Sequence, residues 1–140
     1  MGTRSTIAVQ RADGSVVQTY CHWDGYVDHN GRILQEFYNS QELAEQLVSH
    51  GDMSSLGPRS EPAGEHSFDN PERGVTVYYG RDRGESGTEP RVFASVNEYV
   101  RKVDNQEYDY LFKDGKWFVS EYHSDLRDLE QEIQALEEES

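Results

Sequence analysis

Cysteine is nearly missing from this sequence. Cys21 stands alone in 140 residues, so no internal disulfide can form, which suits a reducing cytoplasm. Basic residues are also scarce: 13 Lys and Arg face 27 Asp and Glu, a net charge of −14. Such a field repels nucleic acid and anionic membrane, and it favours basic partners or simple solubility. No apolar run approaches the roughly 20 residues of a membrane span, and no signal-peptide core is present. Glycine-rich phosphate loops and paired Cys-x-x-Cys motifs are absent as well, so the sequence names no cofactor. Hydrophobic residues make up only 34%, yet there are nine Tyr, five Phe and two Trp. The core must therefore be rich in aromatics, which disordered chains lack.

The length suits one domain. Asp13-Gly14 lies between two β-rich runs, residues 3–12 and 15–23, and predicts a hairpin with a two-residue turn. In that register Ser5 faces His22, Arg4 faces Trp23 and Thr3 faces Asp24. Residues 33–38 suit a helix or a short strand. A helix follows from Asn39, its cap, to His50, with Leu43, Ala44, Leu47 and Val48 as its apolar face and Gly51 as its stop. Residues 52–73 and 80–87 read as exposed loops around a β run at Val75–Tyr79. Ser95 and Glu98 form a capping box for a short helix. Tyr108 to Tyr122 is a second hairpin, turning at Asp114-Gly115, with Phe112 opposite Trp117. Leu126, Leu129, Ile133 and Leu136 carry a coiled-coil-like seam, which serves either the chain's own sheet or a homodimer through residues 125–136. Residues 121–140 hold eight acids and one base. The expected fold is α+β: one domain over 1–136, a mostly antiparallel sheet of two hairpins plus a middle strand, two or three packed helices, and a frayed acidic tail at 137–140.

Several groupings have the composition of a site. His22, Asp24, Asp28 and His29 offer metal-type ligands, but the spacing fits no standard site and no stoichiometric metal is expected. Ser5, His22 and Asp24 have the composition of a hydrolase trio without a nucleophile elbow. Arg81 and Arg83 in a glycine-flanked loop suit an anion clamp. Arg4 over Trp23 suits a cation–π pair, and a half-buried Trp23 would matter for folding.

The Met1-Gly2-Thr3-Arg4-Ser5 start, the Tyr20…His22-Trp23-Asp24-Gly25-Tyr26 segment and Gly51-Asp52-Met53-Ser54-Ser55-Leu56 resemble a group of small bacteriophage accessory proteins. The resemblance covers about the first 56 residues and brings no catalytic residue with it. It implies a protein made in the infected bacterial cytoplasm, and it puts weight on Thr3, Arg4, His22, Trp23, Asp24, Gly25, Tyr26 and Asp52; with Ser5 from the hairpin register, Thr3, Arg4, His22, Trp23, Asp24, Tyr26 and Asp52 make the expected ligand or partner patch. Three functions follow as expectations. The first is an acidic protein that binds and modulates or inhibits a host protein, such as a defence or nucleic-acid-handling factor. The second is a binder of a nucleotide-like small molecule through Arg4, His22, Trp23 and Asp24. The third is a His/Asp hydrolase.

Overall fold

Strand β1 (Ser5–Gln10) lies inside an open eight-stranded sheet and joins its two halves. It pairs antiparallel with β2 (Val16–Cys21) on one edge and parallel with β6 (Tyr108–Lys113) on the other. Beyond β2 come β3 (Met53–Ser55) and β4 (Val77–Tyr78), with β5 (Arg91–Phe93) sharing the same edge of β2. Beyond β6 come β7 (Lys116–Glu121) and β8 (Arg127–Asp128). The computed structural model describes residues 3–103, 106–122 and 125–139. Met1 and Gly2 of the opening motif and Ser140 of the tail lie outside the described residues. The architecture is α+β with a mostly antiparallel sheet.

The two Asp-Gly turns differ, and the difference sets the register. At Asp114-Gly115 both residues take positive φ, 53° and 80°, so a two-residue turn closes the hairpin and Phe112 pairs with Trp117. At the first hairpin only Gly14 has positive φ. Gly14 N–H donates to Arg11 C=O (2.9 Å) and Arg11 N–H to Ser15 C=O (2.7 Å), giving a three-residue loop. Asp13 stabilises it by accepting from the Ser15 N–H and hydroxyl. The extra loop residue corrects the expected pairing by one position. Ser5 faces Cys21, and Thr6 faces Tyr20. Because side chains alternate, this slip reassigns which residues share a face.

On one face lies the main core. Ile7, Val9, Val17, Cys21, Tyr110, Phe112, Trp117 and Val119 pack there with buried helical residues. Those helices are α1 (Arg32–Phe37), which continues a π-helical turn at Val27–Gly31, α2 (Gln41–Ser49) and α5 (Leu129–Glu139). Residues 33–38 are thus mostly helical. Helix α2 is capped by Ser40 rather than Asn39: Ser40 Oγ accepts from Leu43 N–H at 3.2 Å. Leu129 and Ile133 are buried and Leu136 packs beside them on the chain's own sheet, while Leu126 of the expected seam precedes the helix and packs on the smaller core of the opposite face. The helix runs on through Glu139, past the point where fraying was expected, and Arg32 Nη1 reaches Glu137 Oε1 at 3.0 Å. On the opposite face a smaller core gathers Ala8, Val16, Leu111 and Tyr99 of α4 (Val96–Lys102). Ser95 caps α4 by accepting from Glu98 N–H.

The excursion between β3 and β5 is tied down. Helix α3 (Tyr79–Arg83) takes the first half of the loop expected at 80–87, and residues 84–87 remain an exposed loop. Arg81 donates to the carbonyls of Ser60 (2.6 Å) and Thr76 (3.0 Å) and to Asp82 (2.9 Å), and stacks over Tyr78. Its donors are spent on protein, so the anion clamp is not formed. Arg83 lies over the Phe68 ring and faces Glu85 at 3.8 Å. His66 completes the tie: Nδ1 accepts from Glu72 N–H, and Nε2 contacts Asp82 Oδ2 at 3.0 Å, with both side chains nearly sealed from solvent.

Burial would raise the Asp82 carboxyl, but Arg81, the Tyr78 N–H and His66 outweigh it and hold it below its ordinary value of 3.8. A depressed carboxyl stabilises the fold above its unfolded value, and that contribution fades as pH falls through the folded value. Asp82→Asn should therefore cost about 2 kcal/mol near neutral pH. The gap between the two proteins should narrow at about pH 3. Urea midpoints at both pH values check this, and a gap that stays constant would contradict it.

Candidate functional site

The opening motif and the Tyr20–Tyr26 segment meet at a tight turn after β2. His22 N–H and Trp23 N–H donate to Met53 and Ser54 carbonyls, at 3.1 and 3.0 Å, extending the pairing with β3. The chain then reverses at Asp24, whose φ is +58°, a conformation that Asp tolerates better than most residues. Gly25 N–H donates to Thr3 C=O at 2.8 Å. A Cβ on Gly25 would sit 2.8 Å from both Ser5 Cβ and Thr3 O, so only glycine fits this approach. Buried Asn30 seals the turn: its Nδ2 donates to Trp23 C=O (3.1 Å), and its N–H to Asp24 C=O (3.2 Å). The resemblance motifs thus describe a backbone clasp, with glycine and small or turn-forming residues where the backbone needs them.

The predicted patch divides across this clasp. Ser5 is fully buried and faces Cys21. Burial pushes the Cys21 thiol up to about 12, so it is a poor nucleophile. His22 lies on the other face and shares a 2.8 Å hydrogen bond from Nδ1 with the Tyr20 hydroxyl. The Ser5, His22 and Asp24 trio is therefore not assembled. Trp23 is 43% exposed and meets His22 edge-on at 4.8 Å. It stands at the exposed end of the half-buried setting expected of it, outside the core. Among the described residues, the cations placed over rings are Arg81, Arg83, Lys113 and Lys116, so Arg4 is not stacked on Trp23. Tyr26 is exposed. Asp28 is held by Arg32 (2.6 Å) and His29 by Asn30 (3.0 Å). Among the described residues no three His, Cys, Asp or Glu side chains are grouped to hold a metal.

Asp52 is the patch residue with the most developed environment. Its carboxylate accepts from Tyr20 N–H at 2.9 Å and grips both terminal nitrogens of Arg91, at 3.1 and 3.2 Å. Sequence reasoning singled out Asp52 but missed Arg91, because the two residues meet only when β5 docks on β2. It also missed Asn30, His66 and Asp82, whose partners lie within the same turns and loops but are aligned only by the folded backbone.

Charge is sorted between the faces of the sheet. The π-helical turn, α1, α2 and α5 hold nine acids and one base, Arg32, a net of −8 against −14 for the chain. Within this layer Phe37 and Leu43 stand 41% and 42% exposed. They flank the short connection between α1 and α2, beside Glu36 and Glu42. The opposite face and α4 carry Arg4, Arg91, Arg101, Lys102, Lys113 and Lys116 interleaved with Asp52, Glu98, Asp109 and Asp128, so charge there is close to balanced.

The clasp and the exposed tryptophan separate by mutation. Gly25→Ala should destabilise the fold by about 1–3 kcal/mol, because Ser5 or the Thr3 backbone must move. Trp23→Ala should cost less than about 1 kcal/mol, as for exposed positions. Urea denaturation of the two variants checks the order, and a costlier Trp23→Ala would refute it. Comparison of the chain with protein-family models, curated proteins and solved structures finds no match.

Proposed function

We propose that this is a phage-encoded acidic accessory protein that docks, through the outer face of α1, α2 and α5, onto a basic surface of a host protein and thereby modulates or inhibits it. The observation that carries this reading is the sorting of charge. Most of the net charge lies in one helical layer, and two large apolar side chains, Phe37 and Leu43, are exposed within it. An apolar anchor ringed by carboxylates suits a protein surface rather than water alone. A basic host surface of this kind is one that otherwise contacts nucleic acid, where carboxylates can take the place of phosphates. Summed charge of one sign accelerates encounter with the opposite sign and rejects nucleic acid itself.

The test is affinity capture from infected-cell lysate with three baits. These are the wild type, a face variant (Glu42→Gln, Glu45→Gln, Glu130→Gln, Glu138→Gln), and a control variant on the opposite face (Arg101→Gln, Lys102→Gln). A basic host protein should be retained by wild type and control and lost by the face variant. Retention should fall as salt rises from about 0.05 to about 0.5 M, where the screening length drops severalfold. Equal capture by the face variant, or capture indifferent to salt, would overturn the reading.

A further inference from the structure

On the face of the sheet away from the acidic helices lies a cleft of about 220 Å³, lined by Thr6, Gln18, Tyr20, Asp52, Arg91 and Gln106. Every lining residue is polar. Two adjacent rungs of the sheet build its floor. Gln18 pairs with Arg91 across β2 and β5, while Tyr20, Thr6 and Asp109 align across β2, β1 and β6. Paired residues share a face, so these groups converge on one space.

Most of them are committed to one another. Asp52 fixes Arg91 from two sides and holds the Tyr20 backbone. Thr6 Oγ1 donates to Asp109 at 2.6 Å, which also accepts from Gln106 N–H. The Tyr20 hydroxyl is engaged by His22. Gln18 differs. It is 3% exposed, yet its side-chain amide bonds to no described residue while lining the cleft. An amide that faces a cleft and is left unused by the protein's own groups is open to a partner of matching donors and acceptors.

The chemistry of the missing partner follows from the walls. Arg91 is neutralised by Asp52, so the cleft calls for no net charge. A primary amide offers a donor beside an acceptor and is matched by a ligand edge with the same pair, as Gln matches an adenine edge. The Tyr20 side chain supplies an aromatic wall. The volume lies below the roughly 300 Å³ at which drug-sized sites begin, which suits a single ring system. We propose that this cleft binds a neutral heterocycle of the nucleobase type, with the Gln18 amide reading its donor–acceptor edge.

The test is a ¹H–¹⁵N NMR titration with uracil, with adenine and with inorganic phosphate, each to about 10 mM, enough to occupy even a millimolar site. At least one base should shift the Gln18 side-chain NH₂ and the backbone amides of Thr6 and Tyr20, and phosphate should not. Gln18→Met, which keeps the length and removes the amide, should weaken the base about tenfold or more. Its fold is checked by urea midpoint. If that variant is unfolded, the Gln18 NH₂ shift in the wild-type protein decides. Absence of any shift with both bases, shifts with phosphate alone, or equal affinity in a folded Gln18→Met would overturn the proposal.

Discussion

The structure depends on aromatic side chains whose polar tips reach out of the core and fasten backbone that lies outside the regular ladders. Trp117, the largest fully buried side chain, donates from Nε1 to Tyr38 C=O at 3.1 Å. Tyr38 donates to Gly57 C=O, Tyr78 to Leu47 C=O and Tyr110 to Gly25 C=O. Each removes a large apolar area from water and satisfies a buried carbonyl in the same act. A chain with 34% hydrophobic residues has few aliphatic side chains to spend, so loops are held by such staples. Burial pushes the Tyr38 hydroxyl up to about 12 and keeps it a donor at every physiological pH.

These staples explain why the clasp at Gly25 matters beyond its own turn. Tyr110 reaches from β6 across β1 to the Gly25 carbonyl, and Gly31 packs against Tyr110 and Leu129. The turn after β2, the central strands and the start of α5 therefore share one packing unit. A residue pattern that looks like a binding motif in sequence is, in three dimensions, largely the means by which strand and helix layers are brought together. What the clasp leaves outside divides between the two sides: the Tyr20–His22 pair, with Trp23 against His22, lies toward the polar face, while Tyr26 lines a cleft with Glu132, Ala135 and Leu136 of α5.

The two faces of the sheet perform different physical tasks. The face under α1, α2 and α5 holds the main core and carries the acidic exterior. The other face has a small core around Tyr99 and a polar floor beside it. Sorting charge this way concentrates like-charge repulsion in the helical layer, since most cations sit apart from its dense carboxylates. It also gives the molecule a long-range field with a direction. The protein-docking surface and the ligand cleft proposed above lie on opposite sides, so occupation of one need not obstruct the other.

Local chemistry in the sequence was enough to place both hairpins, the Ser95 cap, the Gly51 stop and the aromatic character of the core, because each depends on neighbours within a few residues. It was also enough to mark Asp52, Gly25 and their surroundings. It was not enough for the register of the first hairpin. An Asp-Gly pair closes either a two- or a three-residue loop, and the choice rests on which residues the whole sheet buries. The fates of Ser5, Trp23 and Arg81 followed from that burial. Arg81 reads as a free cation in a glycine-flanked loop, but Ser60, Thr76 and Asp82 converge on it only after the excursion between β3 and β5 folds back. Asp52 with Arg91, and Gln18 beside Arg91, likewise exist as sites only through pairing of strands distant in sequence. Composition and local pattern determined what the chain is made to bury. Long-range strand pairing decided which polar groups would be left facing one another.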